Sequence, residues 1–176
     1  MRRGRAAGLL VAAGIAAAAF AQDEGFEFMP PGGRTLLLGL LSGEGAPSMA
    51  EVAALDQDVD GWRTWAAARD PDMGEPALST LAGYAALNLP LPAGAEDAAA
   101  LPPDGKDLAV AQCQFCHSLF SGYLMHERDE VGWLGVFKSP FHSEIPMTQV
   151  ERETFAGYSA LNMPLRMDEV PPELRF

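Results

Sequence analysis

Two cysteines and a histidine stand together in the second half of the chain, in the order Cys113-Gln-Phe-Cys116-His117. They are the only cysteines in the 176 residues. Two thiols three residues apart can form thioethers to the two vinyl-derived carbons of one porphyrin edge, and the next residue can bind the iron through its imidazole. The spacing therefore predicts one covalently attached haem c, held by Cys113 and Cys116 with His117 as an axial ligand.

The alternatives to haem attachment for these two cysteines are a structural disulfide, a redox pair and a zinc site, and each requires different surroundings. A structural disulfide between Cys113 and Cys116 is compatible with an oxidising compartment. A thioredoxin-like redox pair uses the same spacing but belongs to a βαβ setting, and no part of this sequence alternates like a strand for long. A zinc site requires four ligands, and besides the cysteines the chain offers only the widely spaced His117, His126 and His142.

The amino terminus has the pattern of an export signal. Arg2, Arg3 and Arg5 precede the apolar run 6–20, which ends in the small-x-small sequence Ala19-Phe20-Ala21. The run has 15 residues, fewer than the roughly 18 expected of a membrane-spanning helix. Residues 1–21 are thus predicted to be a signal peptide and the mature protein to be periplasmic, without a membrane span; an uncleaved anchor is the alternative.

The mature part of the chain contains an internal repeat. Residues 80–92 and 154–166 are identical at nine of 13 positions, at an offset of 74. Trp62 pairs with Trp133, and the Pro-Pro sequence at 30–31 pairs with the one at 102–103. The repeat predicts two homologous units, residues 22–92 and 102–176, joined by a Pro/Ala/Gly-rich linker over residues 93–101.

The first unit has lost the residues that would attach a cofactor. The positions opposite Cys113, Cys116 and His117 are Leu41, Glu44 and Gly45. We therefore expect the first unit to be a degenerate, haemless copy and the protein to carry a single haem.

Helical patterns account for both units. In the second unit, helices are predicted over residues 105–112, 128–138 and 149–162. The last of these begins with a capping box of Thr148 and Glu151, and Pro164 ends it. Its apolar stripe is Phe155, Tyr158 and Leu161, which corresponds to Leu81, Tyr84 and Leu87 in the first unit. The fold class predicted is all-α.

From Pro102 to about Leu165 the sequence resembles the class I c-type cytochromes, on its Cys-x-x-Cys-His motif and on a final helix that follows Ile145-Pro146-Met147. The Cys-His-Ser-Leu sequence followed by Trp133 is similar to monohaem subunits that accept electrons from periplasmic dehydrogenases. The resemblance implies two tandem cytochrome c-like units. It also implies that the chain is an electron carrier rather than an enzyme, with redox proteins, including such a dehydrogenase, as partners.

The same resemblance implies the second axial ligand. A distal methionine on the loop before the last helix corresponds to Met147, which the repeat pairs with Met73. Met163, His142 and Met125 remain alternatives, as does an open site. Tyr123 and Arg128 are candidates to bind the haem propionates, with surface exposure as the alternative.

The net charge of the chain limits the classes of partner that it can bind. The formal net charge is −12, and residues 22–104 hold 14 acidic and 3 basic side chains. Nucleic acids and anionic membranes are therefore poor partners, whereas an acidic surface can steer a cationic protein. The alternatives to an electron carrier are a haem sensor or catalyst with an open sixth site and a haem-free thiol oxidoreductase. No acid/base pair, nucleophile triad or phosphate loop supports a hydrolase or transferase.

Overall fold

The computed structural model describes residues 25–95, 97–114 and 116–175, and within these ranges the chain is all-α with no strand. Its α-helices are α1 (Gly33–Leu40), α2 (Met49–Ala53), α3 (Val59–Ala67), α4 (Glu75–Asn88), α5 (Gly105–Gln112), α6 (Glu130–Val136) and α7 (Gln149–Asn162). A single π-helical turn, Phe120–Leu124, lies between α5 and α6. None of the helices in the described part is long and apolar enough to cross a membrane. The predicted signal peptide, residues 1–21, lies outside the described residues.

Local sequence explains where the helices of the second half begin. Helix α7 starts at the predicted capping box, in which the Glu151 amide donates to Thr148 Oγ1 (3.2 Å) and the Thr148 amide donates to Glu151 Oε2 (2.6 Å). Helix α5 has the predicted bounds. Helix α6 is shorter than residues 128–138 because the Asp129 carboxylate caps it, accepting from the Gly132 amide at 2.7 Å.

Two hydrophobic cores form, one in each half of the chain. The N-terminal core is built around Leu37, Val52 and Trp62. The C-terminal core is built around Tyr123, Trp133 and Phe155. In α4 and α7, the long helices of the two halves, only part of the predicted apolar stripe is buried: Leu87 is 40% and Leu161 47% exposed, and both face a groove between these helices.

Helices α4 and α7 pack against each other. Asn88 Nδ2 on α4 donates to Thr154 Oγ1 on α7 at 3.1 Å, and Asn162 Nδ2 on α7 donates to Thr80 Oγ1 on α4 at 2.9 Å. In the repeat, Asn88 corresponds to Asn162 and Thr80 corresponds to Thr154, so the two bonds are equivalent. The contact between the helices is therefore reciprocal.

The segments that lead into α1 and α5 cross between the halves. Tyr84 Oη on α4 donates to the Pro102 carbonyl at 2.7 Å, and Tyr158 Oη on α7 donates to the Pro30 carbonyl, also at 2.7 Å. Each tyrosine thus binds the segment that precedes the other half's first helix.

Burial follows the same exchange. Met29, which is 2% exposed, lies in the C-terminal core, whereas Leu101, which is 3% exposed, lies in the N-terminal core. The predicted linker 93–101 consequently ends in a core residue. Neither core is complete without a residue from the other half's leading segment.

Candidate functional site

A cavity of about 880 Å³ opens in the C-terminal half, between the end of α5, helices α6 and α7, and the segment that connects them. Its size lies within the range of cavities that bind small molecules and cofactors. Cys113, Cys116, His117 and Met147 all line it. Its lining also includes Gly122, Tyr123, His126, Arg128, Trp133, Gly135, Phe137, Phe141, His142 and Phe155.

The two cysteines follow α5 directly. Cys113 is the C-terminal cap of that helix and is half-buried, Cys116 is exposed, and both thiols are free. Burial raises the pKa of the Cys113 thiol to about 12. Because the thiolate is the nucleophile in disulfide exchange, this pKa opposes a thiol oxidoreductase that attacks through Cys113.

His117 lines the cavity and is exposed. Its Nδ1 lies 3.3 Å from the Ser118 carbonyl oxygen, and since a carbonyl only accepts, Nδ1 carries the proton in this bond. Nε2 is then left with a lone pair that can bind a metal. Gly122, in the π-helical turn, lies against this ring so closely that a Cβ there would overlap it.

We expect Gly122→Ala to displace His117, because the added methyl group has no space beside the imidazole. Overpacking costs about 1–3 kcal/mol, so we expect binding of a metal or haem iron by His117 to fall by about five- to 150-fold. Absorption spectra of the ligand-loaded protein measure this loss. Gly135→Ala is the matched control, because Gly135 lines the same cavity and a Cβ there meets nothing within 4 Å. Equal spectra in the two variants would contradict the role of Gly122.

Aromatic side chains form the wall of the cavity. Phe155 on α7 packs against Tyr123, Trp133 and Phe137, with ring centroids 5.4, 5.8 and 5.6 Å apart. These rings give the cavity an apolar lining.

The two candidate propionate ligands differ in their surroundings. Tyr123 is 1% exposed and its Oη bonds Ser159 Oγ at 2.8 Å, so its hydroxyl already has a protein partner. Burial also raises the pKa of this phenol. Arg128 is exposed at the cavity, with its guanidinium carbon 5.6 Å from the Trp133 ring centroid. Tyr123 therefore packs in the core. Arg128 is exposed, the alternative that the sequence left open for it, and its contact with a haem propionate stays a prediction.

Trp133 has an unpartnered polar atom. Its Nε1–H is buried and has no hydrogen-bond acceptor among the residues that the structure describes, and Trp133 lines the cavity. Trp62 Nε1, in the N-terminal core, is also without an acceptor, but Trp62 does not line this cavity. A group bound in the cavity could supply the acceptor for Trp133 alone.

The candidates for a second axial ligand separate into two groups. Met147, which is 8% exposed, and His142 line the cavity, and the His142 and His117 ring centroids are 6.4 Å apart. Met163, which is 6% exposed, packs in the C-terminal core and is not among the residues that line the cavity. Met125 is 50% exposed and does not line it either. The geometry therefore brings Met147 and His142, but not Met163 or Met125, to the same cavity as His117.

Three features of the site had no clear signal in the sequence. They are the π-helical turn, the contact of Gly122 with His117, and Phe141, which is 88% exposed at the cavity. A glycine five residues after His117 was the one available cue. Within residues 25–95, 97–114 and 116–175, no three His, Cys, Asp or Glu side chains are grouped so as to hold a metal ion.

The fold and site define a chain that is all-helical over the described residues, with an aromatic-walled cavity whose lining includes two free cysteines and a histidine. Comparison with known proteins gave no match: no family model, no curated protein and no solved structure is similar to this chain.

Proposed function

We propose that this protein is an electron carrier of the bacterial periplasm with one haem c, attached through Cys113 and Cys116. His117 and Met147 are its axial ligands. The observation that carries the proposal is that one cavity of about 880 Å³ is lined by all four of these residues. The Cys-x-x-Cys-His spacing gives the two thiols and the imidazole the order that covalent haem attachment requires.

The residues around the cavity fit such a group. The apolar wall suits a porphyrin, and a bound group can supply the acceptor that the buried Trp133 N–H lacks. Glycine at position 122 leaves space for the His117 ring, which any side chain there would overlap. Arg128 adds a cation that can bind a carboxylate of the group. These features support haem over an empty structural cavity.

The protein's own residues set the chemistry. When bound, haem supplies an iron that exchanges one electron between its two oxidation states. The Ser118 carbonyl holds Nδ1–H of His117 and orients Nε2. The Met147 sulfur would favour the reduced iron of a bound haem, because a soft thioether stabilises Fe(II). Phe137, Trp133 and Phe155 give the cavity an apolar wall.

The first half of the chain belongs to this proposal as a haemless cytochrome c-like unit. The reciprocal bonds of Asn88 with Thr154 and of Asn162 with Thr80 support a common origin of the two halves. Residues 22–104, with 14 acidic and 3 basic side chains, offer a surface for a cationic redox partner such as a dehydrogenase. Because the leading segments are exchanged between the cores, partner binding is best tested in the full chain.

The function is tested by exporting the full chain together with a haem c maturation system. We expect a c-type pyridine haemochrome equal to one haem per chain, and a reversible one-electron potentiometric titration. A chain without covalent haem would contradict the proposal. Five-coordinate, high-spin iron in the resting protein would contradict the electron carrier and favour a haem sensor or catalyst.

A further inference from the structure

The segment 139–147, between α6 and α7, carries both cavity-lining donors, His142 and Met147. It contains no α-helix and is held internally by turns. The Ser143 amide donates to the Ser139 carbonyl (2.9 Å) and the Met147 amide donates to the Ile145 carbonyl (2.8 Å). A non-helical segment with short-range bonds needs further contacts to fix its side chains at one position.

Arg152, in the first half of α7, supplies such contacts. Its Nη2 donates to the Ser143 carbonyl at 3.0 Å and to the Ile145 carbonyl at 3.2 Å. Its guanidinium carbon lies 5.0 Å from the ring centroid of Phe137, which is itself a wall residue of the cavity. One half-buried side chain thus joins α7, the aromatic wall and the stretch of backbone between His142 and Met147.

The first half of the chain provides an internal comparison. At the offset of 74, the residue opposite Arg152 is Leu78. The connection before α4 runs over residues 68–74, whereas the one before α7 runs over the longer stretch 137–148. The arginine therefore occurs in the half that has the longer segment and the cysteines. The half without them has an aliphatic residue there.

We propose that Arg152 is a positioning residue that fixes the 139–147 segment and thereby holds Met147 at the cavity. The inference deepens the proposed function, on which it rests, because Met147 is the proposed axial ligand. The two carbonyl bonds stabilise the closed position of the segment. Without them the segment moves more often, the Met147 sulfur leaves the iron more often, and an external ligand gains access.

The test compares Arg152→Leu with Arg152→Lys and with the control Arg63→Leu. Arg63 also binds neighbouring side chains, Ser79 Oγ at 2.7 Å and Glu75 Oε1 at 2.7 Å, but it lies in the N-terminal half. Carbon monoxide binding to the reduced protein is measured first, because the gas binds only when the sixth position is vacant. In Arg152→Leu we expect binding at least about tenfold faster than in the wild type, the factor that corresponds to about 1.4 kcal/mol.

A second measurement does not depend on haem. Hydrogen exchange of the Ser143, Ile145 and Met147 amides in the haem-free full chain is expected to accelerate by a similar factor in Arg152→Leu. Arg152→Lys restores part of the protection because an ammonium can donate to the same carbonyls. Arg63→Leu leaves both readouts at wild-type values.

The outcomes separate the two proposals. Unchanged exchange and unchanged carbon monoxide binding in Arg152→Leu, in a protein that carries haem, would overturn the role of Arg152 and leave the electron carrier intact. Absence of haem from the wild type would overturn the carrier, and the exchange rates alone would then decide whether Arg152 fixes the segment. Faster exchange without faster gas binding would overturn the link to Met147.

Discussion

Cys113→Ser and Cys116→Ser together are expected to abolish covalent haem attachment. Each thioether needs one cysteine sulfur, and these are the only two cysteines in the chain, so the double variant can form neither bond. Haem staining of a denaturing gel measures the covalent product, since haem held only by axial ligands is lost on denaturation. We expect a stained band of wild-type mobility and no staining of the double variant. Each single variant retains stain through one thioether, with its haemochrome band at a longer wavelength because one vinyl group stays conjugated.

A matched control distinguishes the loss of covalent attachment from a general disturbance of the cavity by a substitution in its lining. His126→Ala changes another cavity-lining residue, whose Nε2 hydrogen-bonds the Ser121 carbonyl at 3.0 Å. This variant should stain like the wild type. Equal staining of the wild type and the double cysteine variant would contradict attachment at these residues.

The largest expected effect on stability comes from Asp104. Its carboxylate, 1% exposed, accepts from amides at the starts of two helices: Arg34 (3.0 Å) in α1, and Lys106 and Asp107 (both 3.0 Å) in α5. Gly32, the residue before α1, offers no side chain to cap that helix. Asp104→Ala leaves both helix starts without their acceptor. The free energy of unfolding should fall by about 3 kcal/mol, from the loss of two caps and the desolvation of the unpaired amides.

Denaturant unfolding of the full chain measures this fall. Asp58→Ala is the control because Asp58 caps one helix only, accepting from the Gly61 amide at 2.8 Å, and its loss should cost about 1 kcal/mol. Asp104→Asn retains one acceptor oxygen and should fall between the two. A loss in Asp104→Ala no larger than that in Asp58→Ala would show that the shared cap does not join the two halves.

The parts of the fold that could be predicted are those with local causes. Helices α5 and α7 have the predicted bounds because Asp104 and Thr148 begin them with side-chain caps. The all-α class followed from the helical spacing of apolar residues, as in the stripe of Phe155, Tyr158 and Leu161. Met147 was singled out by the cytochrome resemblance, which places a methionine on the loop before the last helix, and in the structure it lines the cavity.

The remaining features depend on contacts between residues distant in sequence. Nothing near α1 predicts that Asp104, 70 residues further on, caps it. The exchange of Met29 and Leu101 between the cores also has no local pattern, since each is one apolar residue beside prolines. The repeat pairs Met163 with Leu89, which is the change expected where the haemless half has lost a ligand. In the structure, however, the Met163 side chain packs in the core. In each case tertiary packing decides, and the repeat alone does not reveal it.

The most direct test of the account is near-infrared magnetic circular dichroism of the oxidised, haem-loaded protein. Wild type is compared with Met147→Ala and with the control Met163→Ala, which removes a buried methionine outside the cavity lining. We expect a sulfur-to-iron charge-transfer band in the wild type and in Met163→Ala, and none in Met147→Ala. A band that survives in Met147→Ala, or that is absent from the wild type, would contradict a haem c with His117 and Met147 as its axial ligands.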